Sequence, residues 1–80
     1  MRVLVRFFAR LREELGVGEK VLELNDRATL GELLAAVFKE GPPEDLLLAL
    51  NNELVRGDRV DEVRLREGDV IDIMPPASGG

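Results

Sequence analysis

The 80-residue sequence contains no cysteine, histidine, tyrosine or tryptophan. Without cysteine and histidine, the chain has no thiolate or imidazole for catalysis, no disulfide and no zinc site of the Cys/His type. Its only side-chain hydroxyls are those of Thr29 and Ser78. These absences exclude most catalysis by side chains, and the lack of cysteine predicts a non-redox protein of the cytoplasm.

Positive charge is also scarce, because 11 Lys and Arg residues stand against 16 Asp and Glu residues and give a net charge of −5. The arginines are scattered along the chain, whereas binding to nucleic-acid phosphates needs concentrated positive charge. The apolar stretches of the chain, such as Leu46 to Leu50, are far shorter than the roughly 20 residues that cross a bilayer. We therefore predict neither a nucleic-acid partner nor a membrane partner.

Alternation of apolar and polar residues predicts strands at both ends of the chain. Residues 1–8 alternate with a period of two, and Val70 to Met74 is apolar on both faces, which is typical of a central strand. Asn51 and Asn52 tolerate positive φ, which favours a tight turn at residues 51–53 between two further strands. The remaining strands are predicted at Glu19–Asn25, Leu47–Leu50 and Leu54–Val55.

One main helix is predicted to begin at Thr29, where Thr29-Leu30-Gly31-Glu32 has the pattern of a capping box. Its core-facing stripe is formed by Leu30, Leu33, Leu34, Val37 and Phe38. Gly41, followed by two prolines, is expected to end it. A shorter helical turn is predicted over Ala9–Leu15, stopped by Gly16, and an irregular or 3₁₀ segment over Val60–Leu65.

One helix and one mixed sheet make an α+β domain of two layers. The two most apolar strands are the first and the last, so we expect them to lie side by side and parallel at the centre of the sheet. This is the ubiquitin-like β-grasp arrangement, with the main helix packed on one face. We predict a β-grasp domain over residues 1–74 and a flexible tail over residues 75–80.

The sequence offers little side-chain chemistry. Asp58, Asp61 and Glu62 have the oxygen ligands of a Ca²⁺ or Mg²⁺ site but lack the spacing of a known binding loop, so no metal site is predicted. Gly16-Val17-Gly18 lacks the third glycine or the lysine of a phosphate-binding loop and is better explained as turn punctuation.

The most informative segment is the tail, Pro75-Pro76-Ala77-Ser78-Gly79-Gly80. The prolines stop the central strand and stiffen the chain where it leaves the sheet. Two terminal glycines carry no side chains, so they can enter a narrow channel and present a carboxylate inside the active site of a partner. The reactive atom we predict is therefore the carboxylate of Gly80.

The chain as a whole resembles the small, sulfur-carrying subunit family of molybdopterin synthase. The resemblance is carried by Val5-Arg6-Phe7-Phe8-Ala9-Arg10-Leu11-Arg12-Glu13, by Leu50-Asn51 and Leu54-Val55, by Leu65-Arg66-Glu67-Gly68-Asp69-Val70, and by the Pro-Pro-Ala-Ser-Gly-Gly tail. Met74 departs from some relatives, which have an aromatic residue there. Met can still anchor an apolar interface.

The resemblance implies a cycle in which an adenylating partner enzyme uses ATP to activate the Gly80 carboxylate, and a sulfur donor then converts it to a thiocarboxylate. The tail, residues Pro75, Pro76, Ala77, Ser78 and Gly79, would enter the large subunit. There the sulfur would be delivered to cyclic pyranopterin monophosphate to build the dithiolene of molybdopterin. The family works as a heterotetramer of two small and two large subunits, and the carrier itself would bind no cofactor and supply no catalytic side chain.

Phe7, Leu54 and Met74 are candidates for the surface that docks on the large subunit, although core packing is an alternative role for Phe7. Other functions stay open at this stage. The chain could carry sulfur for thiamine or tRNA thiolation, act as a ubiquitin-like protein modifier through an isopeptide bond from Gly80, or serve as an interaction module with an inert tail.

Overall fold

The computed structural model describes residues 1–76 of the chain. The strands are β1 (Arg2–Phe7), β2 (Glu19–Glu23), β3 (Leu47–Leu50), β4 (Glu53–Val55) and β5 (Val70–Met74). The helices are α1 (Ala9–Leu15), between β1 and β2, and α2 (Leu30–Val37), between β2 and β3. A 3₁₀ helix, Gly57–Glu62, lies between β4 and β5.

The five strands form one sheet in the order β2-β1-β5-β3-β4. The first and last strands, β1 and β5, are parallel neighbours, and the other pairs are antiparallel. The predicted mixed sheet, with its first and last strands together at the centre, is confirmed. Because β5 has a strand on each side, the C-terminal segment leaves from the middle of the sheet.

One face of the sheet is covered by the helices and forms the core. Val5 pairs with Ile71 and Phe7 with Ile73, and all four side chains are buried. From the helices, Leu11 of α1 and three leucines of α2 complete the core. We call this side the covered face. The opposite side carries alternate residues of the same strands, and we call it the open face.

Helix α2 begins where the capping pattern predicts, since the Glu32 N–H donates to the Thr29 hydroxyl at 3.2 Å. Only this half of the predicted capping box forms, because no hydrogen bond joins the Glu32 carboxylate to the Thr29 N–H. The helix also ends earlier than predicted. Phe38 leaves the helical conformation (φ −109°, ψ 86°) and packs partly against the core, and Gly41 follows in a separate turn with φ 97°.

The turns follow the sequence closely. Gly16 closes α1 in the left-handed region (φ 75°), as expected for a glycine after a helix. Asn51 and Asn52 also have positive φ (50° and 72°) and join β3 to β4 in a two-residue turn. The 3₁₀ helix begins three residues before the predicted Val60 and ends at Glu62. Within residues 1–76, neither α-helix has the length and apolar character needed to span a bilayer.

Candidate functional site

The predicted tail begins at the end of β5. Pro75 and Pro76 follow Met74 directly, are half-buried and lie outside the strand. Neither proline has an N–H to donate, so the pairing of β5 with its neighbours cannot continue beyond Met74. The predicted tail residues Ala77, Ser78, Gly79 and Gly80 lie outside the described residues.

The chain leaves the sheet beside an apolar groove of about 510 Å³. Its walls come from the end of β1, the start of α1, the start of β3 and the end of β5. The groove is lined by Phe8, Ala9, Arg10, Leu47, Met74, Pro75 and Pro76. Phe8 and Leu47 are exposed although they are large apolar residues. We call this feature the exit groove.

The three predicted docking residues occupy different places. Phe7 is 3% exposed and lies in the core, so its assignment to a docking surface was wrong and the alternative role in core packing is correct. Leu54 is 75% exposed, and Met74 is half-buried on the open face beside the exit groove. The structure thus leaves two of the three available to a partner.

Phe8, which we did not select from the sequence, takes the surface position instead. It is 40% exposed and lines the exit groove. The period-two pattern of β1 contained the signal, because it puts Phe8 on the side opposite Val5 and Phe7. The main-chain N–H of Phe8 donates to the carbonyl oxygen of Ile73 at 3.2 Å, which ties this position to the end of β5.

The open face has one charged pair at its centre. Arg6 on β1 lies opposite Asp72 on β5, donating from Nε to Oδ1 at 2.6 Å and from Nη2 to Oδ2 at 2.9 Å. The hydrogen bonds that Arg6 donates to Asp72, and then the negative charge of Asp72, raise the pKa of Arg6 above its ordinary value. Asp72 is the one charged residue that is buried within residues 1–76.

The carboxylates of Asp58, Asp61 and Glu62 have separate neighbours in the structure. Asp58 pairs with Arg56 at 2.9 Å, and Glu62 pairs with Arg59 at 2.6 Å. Asp61 instead lies against the backbone of α2 at Gly31. The three carboxylates therefore point to different partners, and residues 1–76 contain no group of three or more possible metal-ligating side chains.

The glycines of Gly16-Val17-Gly18 have separate structural roles. Gly16 ends α1, and the Arg12 guanidinium lies so close to Gly18 that a Cβ there would approach it to 3.0 Å. This arrangement is that of a turn packed against a helix, as the sequence pattern indicated.

Comparison with known proteins identifies relatives over the full length. The ThiS family profile matches residues 5–80. A molybdopterin synthase sulfur carrier subunit from Chlamydomonas reinhardtii is 40% identical over 85 residues, covering 100% of both chains. These matches confirm the resemblance found from the sequence motifs.

Two solved structures extend the comparison. SAMP1 from Haloferax volcanii superposes with a TM-score of 0.82 at 22% identity over 100% of both chains, which shows a shared fold. A complex of subunits 1 and 2 of molybdopterin-converting factor from Helicobacter pylori contains a chain with a TM-score of 0.64 and 29% identity, again covering 100% of both chains. The fold is thus the predicted ubiquitin-like β-grasp, and the chain belongs to the ThiS family.

Proposed function

We propose that this chain is the sulfur carrier subunit of a molybdopterin synthase. The observation that carries the proposal is its 40% identity, over its full length, to a relative of that name. The structure supports it by directing the end of the central strand into a Pro-Pro segment at the molecular surface. The chain then closes on Gly79-Gly80.

The chemistry we propose takes place at the carboxylate of Gly80. A carboxylate is a poor electrophile, so an adenylating partner enzyme uses ATP to convert it to an acyl adenylate and releases pyrophosphate. A sulfur donor then supplies the equivalent of hydrosulfide, AMP departs, and a thiocarboxylate remains. Within the large subunit, each thiocarboxylate gives its one sulfur to cyclic pyranopterin monophosphate and the Gly80 carboxylate is restored, so two such transfers supply the two sulfur atoms of the molybdopterin dithiolene.

The prolines and the small residues of the tail have different physical roles in this proposal. Pro75 and Pro76 restrict the backbone at the exit, which lowers the entropy lost when a partner binds the tail. Ala77, Ser78 and Gly79 are small and allow the carboxylate of Gly80 to enter a narrow site. The carrier contributes the sulfur, and the large subunit contributes the catalytic side chains.

The docking surface that we propose for the large subunit is centred on the exit groove. Phe8, Leu47 and Met74 are apolar there, and Leu54 extends the same surface across the open face to β4. Exposed apolar residues grouped beside a functional segment are typical of protein interfaces. Subunits 1 and 2 of the Helicobacter pylori factor form a complex, and we propose the corresponding heterotetramer of two small and two large subunits here.

The test is intact-mass spectrometry of the purified chain after incubation with ATP, a sulfide source and the adenylating enzyme of the host. We expect the mass increase that corresponds to one carboxylate oxygen replaced by sulfur. Addition of the large subunit and cyclic pyranopterin monophosphate should then reverse the increase and produce molybdopterin.

A chain that lacks Gly80 is the control, and it should show no increase. An unchanged mass with an enzyme that activates another carrier would contradict the proposal. A covalent product with a second protein, resistant to denaturation and reducing agent, would instead indicate a protein modifier. A thiocarboxylate that supports thiamine or tRNA thiolation, but not molybdopterin formation, would keep the carrier and change its pathway.

A further inference from the structure

The open face contains two ion pairs that differ in their surroundings. Arg6–Asp72 is central and bidentate, with side chains 37% and 12% exposed. Arg2–Glu23 joins β1 to the edge strand β2 through a single bond at 3.0 Å, and its side chains are 71% and 73% exposed. A partner that covers the centre of the open face must therefore remove the first pair from water, while the second can stay solvated.

Arg6 is only partly satisfied by its bonds to Asp72. A guanidinium has five N–H groups, and Asp72 accepts from Nε and from Nη2 alone. The remaining donors, including both N–H groups of Nη1, make no hydrogen bond to any side chain within residues 1–76. Glu19, opposite Arg6 on β2, is near enough to influence it electrostatically but makes no hydrogen bond to it.

The Arg6 donors that have no acceptor within residues 1–76 belong to a guanidinium beside the proposed docking surface. The Arg6 guanidinium carbon is 5.9 Å from the centre of the Phe8 ring, and Phe8 lines the exit groove. Ala49 and Asp72 are cross-strand neighbours, which places the other side of the pair next to β3. A partner seated on Phe8, Met74 and Leu54 would thus cover the outer edge of the guanidinium.

When a partner covers Arg6, its remaining N–H donors lose their contact with water, and this determines which groups the partner must supply. A buried donor without an acceptor is costly, so a purely apolar partner surface would bind poorly over Arg6. Asp72 already neutralises the positive charge, and a second carboxylate would leave a net negative charge in the interface. A neutral oxygen, such as a main-chain carbonyl or a side-chain amide oxygen, satisfies the donors without that excess.

We propose that Arg6, held in place by Asp72, is a specificity-determining contact for the large subunit and donates to a neutral carbonyl oxygen on it. This inference rests on the proposed function, because that function supplies the partner. Asp72 acts as a positioning residue, because its two bonds to Nε and Nη2 fix the guanidinium with Nη1 on the side away from Asp72. The pair thereby selects partners that carry an acceptor at this point over partners that are only apolar.

The decisive variant removes both members of the pair, Arg6→Leu together with Asp72→Ala. If the partner were only apolar here, exchange of a covered ion pair for apolar side chains would leave affinity unchanged or improve it. If the partner supplies an acceptor for Arg6, the double variant leaves that acceptor buried in the interface without a donor. We then expect Kd for the large subunit, measured by isothermal titration calorimetry, to rise about tenfold. A Kd equal to or below that of the unmodified chain would overturn the proposal.

The matched control is Arg2→Leu with Glu23→Ala, which makes the same chemical change on the same face. Because that pair is exposed, its Kd should stay within about twofold of the unmodified chain. Thermal melting followed by circular dichroism verifies that both double variants are folded. Arg6→Lys, with Asp72 retained, provides a second test, because lysine keeps the charge but lacks the planar fork. Its Kd should also rise, and an unchanged Kd would contradict the role of the Arg6 guanidinium.

Salt concentration distinguishes the kind of acceptor. With a neutral oxygen, the ratio of Kd between the double variant and the unmodified chain should be nearly the same at low and high salt. A ratio that falls steeply with salt would indicate a carboxylate and overturn the neutral acceptor. If the unmodified chain does not bind the large subunit at all, the partner in the proposed function is wrong. If the unmodified chain binds tightly and the double variant has the same Kd, only the role of Arg6 is refuted.

Discussion

The two faces of the sheet use the same strands in opposite ways. On the covered face, Val5, Ile71 and Ile73 are fully buried, and the helices complete a core without charged side chains. On the open face, large apolar residues remain exposed around an ion pair of which only Asp72 is buried. Burial on one side stabilises the fold, whereas the exposed apolar surface on the other is available for binding.

Strand β5 shows the contrast within five residues. Ile71 and Ile73 point into the core, while Asp72 and Met74 belong to the open face. Its central position explains why it can serve both purposes, since hydrogen bonds to β1 and β3 hold its backbone on both edges. Met74, one of the proposed docking residues, and the point where the tail leaves the sheet therefore belong to a strand that is paired on both edges.

The largest effect on stability should come from the covered face, with Ile73→Ala. Ile73 is completely buried, and removal of its side chain leaves a cavity that the surrounding residues can fill only partly. We expect a loss of about 3 kcal/mol in the free energy of unfolding, measured by denaturant titration. Leu54→Ala, on the open face, is the control and should change it by less than about 0.5 kcal/mol. If Ile73→Ala lowers the free energy of unfolding by less than about 1 kcal/mol, the covered face is not the main source of stability.

The next effect belongs to the open face, with Met74→Glu. A carboxylate beside the exit groove would have to be desolvated when the large subunit binds, so affinity should fall by about 2 kcal/mol, roughly 30-fold. Val21→Glu is the matched control, because Val21 also belongs to the open face but lies on the edge strand β2. Isothermal titration calorimetry of both variants gives Kd for the large subunit and compares the β5 part of the open face with the β2 edge. An unchanged affinity for Met74→Glu would remove this residue from the interface.

The fold was largely predictable because its main signals are local. Alternation in β1, the Thr29 cap and Asn51-Asn52 each specify a backbone conformation within a few residues, and the parallel pairing of β1 with β5 followed from the two most apolar segments. The end of α2 was less predictable. Phe38 fits the helical stripe, yet it packs against the core from a non-helical backbone, which depends on tertiary contacts rather than on spacing.

The site was predictable in part. Met74 and Leu54 lie where a partner can reach them. Phe7 and Phe8 are adjacent in the sequence, and which of them is exposed depends on which face of β1 packs against the core. The Arg6–Asp72 pair was not predicted, because its members are 66 residues apart and meet only through the register of two parallel strands. A pattern read along one strand contains no information about the neighbour opposite.

A smaller effect on binding is expected for Leu54→Ala. Its side chain is highly exposed at the edge strand β4, so truncation removes apolar contact area with the large subunit without opening a cavity. We expect a loss of about 1 kcal/mol, close to fivefold in Kd. Val21→Ala, at the opposite edge, should leave Kd unchanged. Equal losses for the two variants would mean that the partner covers the whole open face rather than its β5-β3-β4 side.

The smallest effect concerns the backbone beside the exit groove, where Ala9 has a φ of 53°. An alanine in the left-handed region costs about 1 to 2 kcal/mol, and glycine avoids this cost but loses more entropy on folding. We therefore expect Ala9→Gly to raise the free energy of unfolding by about 0.5 kcal/mol. Ala35→Gly, at an exposed position within α2, is the control and should lower it by about 1 kcal/mol. Opposite signs would show that backbone strain is concentrated where the tail leaves the sheet, as it often is at functional sites, whereas equal losses would place Ala9 in an unstrained conformation.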